Sequence, residues 1–124
     1  MIVKYFKPEE FTCKCGCGSH EVSVALIVRL ELLRRVVNRP LVITSGRRCV
    51  SHNEAVGGAS MSRHLYGRAA DIRWNGGPAF LGACREVFRE AACECIPGTG
   101  YIHVSLPVTE STAPMWDGGE IEGV

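Results

Sequence analysis

Residues 62–71, Ser-Arg-His-Leu-Tyr-Gly-Arg-Ala-Ala-Asp, constrain the fold of this chain more than any other segment. They place His64 and Asp71 seven residues apart, with Gly67 and two alanines between them. A backbone that turns at a glycine and returns in an extended segment can direct both side chains at one point. Neutral imidazole and carboxylate are ligands that zinc accepts. The segment therefore predicts a metal-ligand pair, although a hydrogen-bonded His and Asp without a metal would satisfy the same spacing.

A third ligand is needed, and His103 is the best candidate. It lies in Tyr101-Ile102-His103-Val104-Ser105, where apolar and polar residues alternate as in a strand. Two histidines and one carboxylate leave the fourth tetrahedral position to water. An open site of this kind is typical of catalytic rather than structural zinc.

Length and charge limit the other possibilities. A chain of 124 residues with 46% hydrophobic and 22% charged residues predicts one globular domain over residues 1–124. The formal net charge of +1 argues against a nucleic-acid partner. The sequence contains no apolar run near the roughly 20 residues that span a bilayer, so we expect no membrane insertion. The first residues lack the apolar region of a signal peptide, which predicts synthesis in the cytoplasm.

Seven cysteines leave two interpretations open. Alternate spacing in Cys13-Lys14-Cys15-Gly16-Cys17, followed by His20, could form a second, structural zinc site, but zinc ribbons usually space paired cysteines by two to four residues. The alternative is a set of partly buried free thiols, or one or two disulfides that join the amino-terminal loop to the core. The pairing cannot be deduced from the sequence.

Periodicity predicts an α+β fold in which helices pack on a small antiparallel sheet. Residues 1–20 form a Cys-rich leader loop with a short turn at Pro8, and residues 107–124 form a loosely ordered tail in which Trp116 docks. One predicted helix runs from Ser23 to Asn38 and another from Pro78 to Ala92, and a short helical turn covers Ser51 to Val56. The predicted strands cover residues 41–44, 69–74 and 101–105, and two central strands carry Asp71 and His103 side by side.

The combined motifs resemble one known family. They are Ser45-Gly46-Arg47-Arg48-Cys49, then Asn53, Gly57-Gly58, residues 62–71 and His103-Val104. Together they are similar to the zinc D-alanyl-D-alanine carboxypeptidase family, over about residues 5–106. That family includes cell-wall carboxypeptidases, dipeptidases and phage endolysins that cut L-alanyl-D-glutamate bonds, and it shares the hedgehog fold. The leader from Phe11 to Gly18 resembles that of a phage and prophage branch.

The resemblance implies roles for particular positions. His64, Asp71 and His103 match the ligands of a single zinc ion, Arg48 matches the arginine that holds the substrate or polarises its carbonyl, and Ser62 falls at a motif position near the substrate. The implied reaction is amide hydrolysis in peptidoglycan stem peptides. Zinc would activate water and a carboxylate would transfer the proton.

The carboxylate for that proton transfer is missing from its usual positions. Gly100 stands three residues before the last ligand and Ser105 stands two residues after it, where family members carry Asp or Glu; Arg47 also replaces a tyrosine. Glu94 is the nearest upstream candidate for the catalytic carboxylate, and Glu110 is the nearest downstream.

Three functions follow as hypotheses. The first is a monomeric zinc peptidase acting on the cell wall after release, or as part of a phage particle. The second is a zinc-binding but weak or inactive wall-binding or phage structural module, because this fold also serves without catalysis. The third is a Cys-rich redox or scaffold protein without a central metal.

Overall fold

The computed structural model describes residues 1–108 and 114–123 of the chain. These described residues contain three α-helices: α1 (Val24–Val37), α2 (Val50–Ala55) and α3 (Pro78–Val87). Four strands form the sheet: β1 (Ile43–Ser45), β2 (Ala69–Arg73), β3 (Glu94–Pro97) and β4 (Tyr101–Ser105). Two 3₁₀-helices cover Pro8–Phe11 and Arg63–Tyr66.

The sheet is antiparallel throughout, with strand order β1-β2-β4-β3. Its central pair is β2 and β4, in which Asp71 lies directly opposite His103. Residues directly opposite each other on neighbouring strands share a face, with β-carbons about 5 Å apart. The predicted α+β class is confirmed, and so is the delivery of both side chains by the two central strands.

Helix α1 covers the core side of the sheet. The Ser23 side chain accepts a hydrogen bond from the backbone N–H of Leu26 (3.2 Å), which caps the first turn. Asn38 ends the helix in the left-handed conformation, with φ 51°. One buried cluster includes side chains from α1, α3, β2 and β4: Leu26, Ile27, Leu30, Leu33, Phe80, Cys84, Val87, Ile72, Ile102 and Val104.

The main differences from the predicted elements concern α3, β3 and β1; the bounds of α2 and β2 differ by one residue. Helix α3 ends at Val87 rather than Ala92, because Phe88 leaves the helical region at φ −111° and ψ 44°. Strand β3 follows from residue 94 and was not predicted, since its residues are half-buried or exposed without apolar alternation. Strand β1 begins at Ile43 instead of Leu41, and its pairing with β2 is irregular between Ile43 and Ser45.

The leader and residues 114–123 pack on the same side of the core. Phe11 is fully buried, and its ring lies 5.9 Å from Phe6 and 6.4 Å from Trp116. The backbone N–H of Trp116 donates to the Val22 carbonyl at 2.8 Å, so Trp116 docks as expected. Residues 109–113 and 124, including Glu110, lie outside the described residues, and a loosely ordered tail stays a prediction. Within the described ranges, no helix combines the length and apolar character that crossing a bilayer requires.

Candidate metal centre

Side chains from three separate elements converge beside the middle of the central strand pair. His64 comes from the second 3₁₀-helix, Asp71 from β2 and His103 from β4. Asp71 Oδ1 lies 3.2 Å from Nε2 of His64 and 2.9 Å from Nδ1 of His103. One donor atom from each residue lies within 4.8 Å of the other two. The sequence prediction that these three residues meet is therefore confirmed.

The outer nitrogen of each imidazole already has a partner. His64 Nδ1 lies 2.8 Å from the Gly46 carbonyl oxygen, and His103 Nε2 lies 3.2 Å from Glu94 Oε1. An N–H that donates to a carbonyl or carboxylate fixes the tautomer and leaves the inner nitrogen as a lone-pair donor. Two such imidazoles and one carboxylate make a donor set that fits zinc with an open fourth position.

The charges at this centre stabilise an ionised Asp71. Burial alone would raise the pKa of its carboxyl, but without a metal the inner ring nitrogens of His103 and His64 donate hydrogen bonds to it and hold that pKa well below its usual range. A bound cation would take the place of those two protons. Burial tends to lower the pKa of His103, yet its contacts with Asp71 and Glu94 raise it above the ordinary value. An anionic carboxylate between two imidazoles attracts a cation.

Close packing of backbone against backbone positions the first imidazole. A β-carbon at Gly46 would lie 2.6 Å from the Cα of Phe11, so no larger residue fits while its carbonyl meets His64. The Ser62 side chain accepts a hydrogen bond from the backbone N–H of His64 at 3.3 Å. Ser62 therefore caps the 3₁₀-helix that presents the imidazole, and it also lines the cleft beside it.

Arg48 approaches the centre from the side opposite the histidines. Its guanidinium donates to Ser45 Oγ at 3.2 Å and to Asn53 Oδ1 at 3.3 Å, and its Nη2 lies 3.5 Å from Asp71 Oδ2. Asp71 thus offers Oδ1 to the metal position and Oδ2 to the arginine. Arg48 therefore also forms an ion pair with the Asp71 carboxylate.

Glu94 sits behind His103 in a network of its own. Ser105 Oγ donates to Glu94 Oε1 at 2.7 Å, and Arg63 Nη1 donates to Ser105 Oγ at 3.0 Å. The Ser105 hydrogen bond is the main cause that lowers the pKa of Glu94 below its ordinary value. The carboxylate expected to transfer the proton therefore contacts the nitrogen of His103 that faces away from Asp71.

The three donors open into a shallow cleft of about 260 Å³. It is lined by residues from β2, β3, β4, the loop after β1 and the second 3₁₀-helix with its cap: Arg48, Ser62, His64, Asp71, Ile96, Tyr101 and His103. Among these described lining residues, Asp71 is the one carboxylate. A two-histidine, one-carboxylate centre that opens to a cleft defines the class of site: a candidate zinc centre with an open coordination position, as in zinc peptidases.

Comparison with known proteins gives the family. The Peptidase M15 family model matches residues 4–105, which is most of the chain, and the chain belongs to that family. A stretch of 45 residues is 44% identical to the zinc D-Ala-D-Ala carboxypeptidase of Streptomyces albus G. That match covers 36% of this chain and 18% of the length of the relative. The family inferred from the motifs is confirmed.

Some residues of the centre had no role assigned from the sequence. Asn53 is buried, accepts from Arg48 and donates its amide to the Ala59 carbonyl at 2.8 Å. A β-carbon at Gly58 would lie 2.1 Å from Asn53 Oδ1, which explains the glycine there. Arg63 reaches Ser105 and Glu94 because β3 pairs with β4. The motifs contained both residues, but the contacts of Arg63 could not be inferred without knowledge of β3.

Proposed function

We propose that this domain is a zinc-dependent peptidase that hydrolyses amide bonds in peptidoglycan stem peptides. The observation that carries the proposal is the convergence of His64 Nε2, Asp71 Oδ1 and His103 Nδ1 with both outer ring nitrogens already occupied. These three atoms would hold the ion. The metal, when bound, would lower the pKa of a coordinated water and polarise a carbonyl.

The residues around the donors would orient a peptide. Arg48 is half-buried, and two of its nitrogens are fixed by Ser45 and Asn53, so its fork of donors is pre-organised at the cleft. A guanidinium in that position suits a substrate carboxylate or a developing oxyanion. We assign Arg48 and Ser62 to substrate binding.

Glu94 has contacts that favour a positioning role. Its Oε1 atom is shared among Ser105, His103 and Arg63, at 2.7, 3.2 and 3.5 Å. A carboxylate that accepts the outer N–H of a ligating histidine raises its basicity and fixes the ring. Proton transfer by Glu94 stays a prediction, and it would require the side chain to leave this network.

The substrate class comes from the family and the relative. The Streptomyces protein is named for D-Ala-D-Ala carboxypeptidase activity. An open cleft beside a fixed arginine suits either a terminal D-Ala-D-Ala carboxylate or an internal L-Ala-D-Glu bond, whose glutamate also carries a free carboxylate. We propose these two bond types as the candidates, with the domain acting on the cell wall after release or within a phage particle.

One observation favours a second candidate function. Among the described lining residues, no carboxylate besides Asp71 faces the cleft. Loss of a general acid or base typically removes a factor of about 100 to 10,000 from the rate. A cleft without a further carboxylate fits a zinc-binding domain that holds wall peptides with little turnover. Such a domain would serve as a wall-binding or phage structural module.

Incubation of the zinc-loaded protein with purified muropeptides separates the two candidates. Mass spectrometry would identify loss of a terminal D-alanine or cleavage after L-alanine. A His64→Ala variant is the matched control for contaminating activity. Products that form with the wild type but not with the variant support the peptidase, whereas binding without products supports the wall-binding module. Absence of both would contradict each proposal.

A further inference from the structure

Four cysteines form a second cluster, separate from the centre described above. Cys13, Cys15 and Cys17 belong to the leader, and Cys49 immediately precedes α2. Their four sulfur atoms lie within 4.8 Å of one another. We propose that this thiol cluster binds a second zinc ion through four thiolates, as a closed structural site.

The distances between the sulfur atoms suit a single tetrahedral ion. Cys13 Sγ lies 3.5 Å from Cys15 Sγ and 3.8 Å from Cys49 Sγ, and the latter two are 3.6 Å apart. Zinc–sulfur bonds of about 2.3 Å place the corners of a tetrahedron about 3.8 Å apart. The sulfur atoms of a disulfide are about 2.05 Å apart. All seven cysteines carry free thiols, so the cluster matches coordination rather than pairing.

Two glycines explain how cysteines at alternate positions face one point. In an extended strand, the side chains of Cys13 and Cys17 would lie on the same face but four residues apart along the strand. Here Gly16 and Gly18 have φ values of 87° and 86°, which only glycine adopts readily, and they curl the loop. The backbone N–H of Cys13 donates to the Ser19 carbonyl at 2.7 Å and closes it.

Backbone donors already surround the sulfur atoms. The Cys49 N–H points at Cys13 Sγ at 3.5 Å, and the His52 N–H points at Cys49 Sγ at 3.3 Å. Such outer hydrogen bonds orient ligating groups and offset their negative charge. His20 is held elsewhere, with Nδ1 3.0 Å from the Gly18 carbonyl, so the four sulfur atoms complete the donor set.

The site would join the leader to the edge of the cleft. Cys49 is the direct chain neighbour of Arg48, and Arg47 N–H donates to the Phe11 carbonyl at 2.9 Å. A metal that fixes Cys49 to the leader would therefore also limit the motion of the Arg48 backbone. This role needs no open coordination position and no water.

Metal analysis of the reduced, zinc-reconstituted and desalted protein tests the proposal. We expect two zinc ions per wild-type chain and one ion in each of three variants: Cys15→Ser, Cys17→Ser and His64→Ala. Cys93→Ser, which alters a cysteine outside the cluster, should retain two. Because Cys15 and Cys17 are exposed, their serine variants leave the core intact.

A second measurement uses the wild-type chain alone. Alkylation followed by mass spectrometry should label Cys13, Cys15, Cys17 and Cys49 slowly in the zinc-loaded protein and rapidly after chelation, with Cys93 unchanged. Cobalt substitution should add a thiolate-to-metal charge-transfer band that is lost in Cys17→Ser. Three results would overturn the proposal. They are an unchanged zinc content in Cys15→Ser and Cys17→Ser, alkylation rates that chelation does not alter, and iron in place of zinc. None of these results depends on peptidase activity.

Discussion

Glu94 and Asp71 contact opposite nitrogens of the His103 ring, at 3.2 and 2.9 Å. The ring is therefore held between two carboxylates, one at the metal position and one behind it. Glu94→Gln retains an acceptor for the ring N–H but removes the charge. We expect zinc affinity to fall by about 10-fold, at the lower end of the range for such partners. At saturating zinc, turnover should stay within about 10-fold of the wild-type rate.

Kinetics at several zinc concentrations check this expectation. If turnover at full zinc occupancy instead drops by about 100-fold or more, Glu94 is the proton-transfer group. Ser105→Ala is the matched variant, because it removes the donor at 2.7 Å without touching a carboxylate. Ser105→Ala should also lower zinc affinity, as Glu94→Gln does.

Arg48 should matter more for turnover than for metal binding. Arg48→Gln removes the guanidinium while Asn53 and Ser45 remain, and we expect catalytic efficiency to fall by about 100 to 1,000-fold, as for the loss of one oriented donor at an oxyanion. Steady-state kinetics with a muropeptide and parallel zinc titration measure the two effects. Arg73→Gln, on an exposed position of β2, is the control. Equal losses of catalytic efficiency in Arg48→Gln and Arg73→Gln would contradict a specific role for Arg48.

We expect that no residue larger than glycine fits at position 46. Gly46→Ala places a β-carbon 2.6 Å from the Phe11 backbone, where neither segment can yield easily. We predict a loss of about 1–3 kcal/mol in the free energy of unfolding, typical of overpacking, together with weaker zinc binding through His64. Urea unfolding of the metal-free protein measures the first effect. Gly82→Ala, with nothing within 4 Å, should not destabilise the chain.

The buried carboxylate of Glu31 anchors the amino-terminal segment to α1. It accepts hydrogen bonds from the backbone N–H groups of Lys4 at 2.8 Å and Tyr5 at 2.9 Å. Glu31→Ala leaves both donors without their acceptor, which should cost about 2–5 kcal/mol. Chemical denaturation gives the difference, and Glu86→Ala, an exposed glutamate in α3, should change stability by less than about 1 kcal/mol. Similar losses in the free energy of unfolding for Glu31→Ala and Glu86→Ala would show that Glu31 is not an anchor.

Removal of metal should lower thermal stability without abolishing the fold. The hydrophobic cluster of α1, α3, β2 and β4 forms without the donor residues. Zinc at 1,000 times its Kd would add about 4 kcal/mol. We expect a chelator to lower Tm, zinc to restore it and magnesium not to, as scanning calorimetry would show. An unchanged Tm would argue against tight binding.

The sequence predicted the parts of this molecule that depend on local pattern. The Ser23 cap, the periodicity of α1 and the alternation around His103 each have a short-range physical cause, and the motifs identified the three donors. Contacts that depend on β3 were not predicted. Strand β3 is half-exposed and lacks alternation, so its pairing with β4, which brings Glu94 behind His103, could not be inferred. The clustering of the four cysteines could not be inferred from their spacing for a related reason, because the curl at Gly16 and Gly18 is a property of the folded loop.

The pairing of Asp71 with His103 at the centre of the sheet has a consequence for how such domains change over time. A one-residue slip of either strand would turn a ligand and every core side chain of that strand to the wrong face. A change of register would therefore disturb the metal centre and the core together. Substitutions at exposed cleft residues such as Ile96 and Tyr101 would change the cleft without that cost.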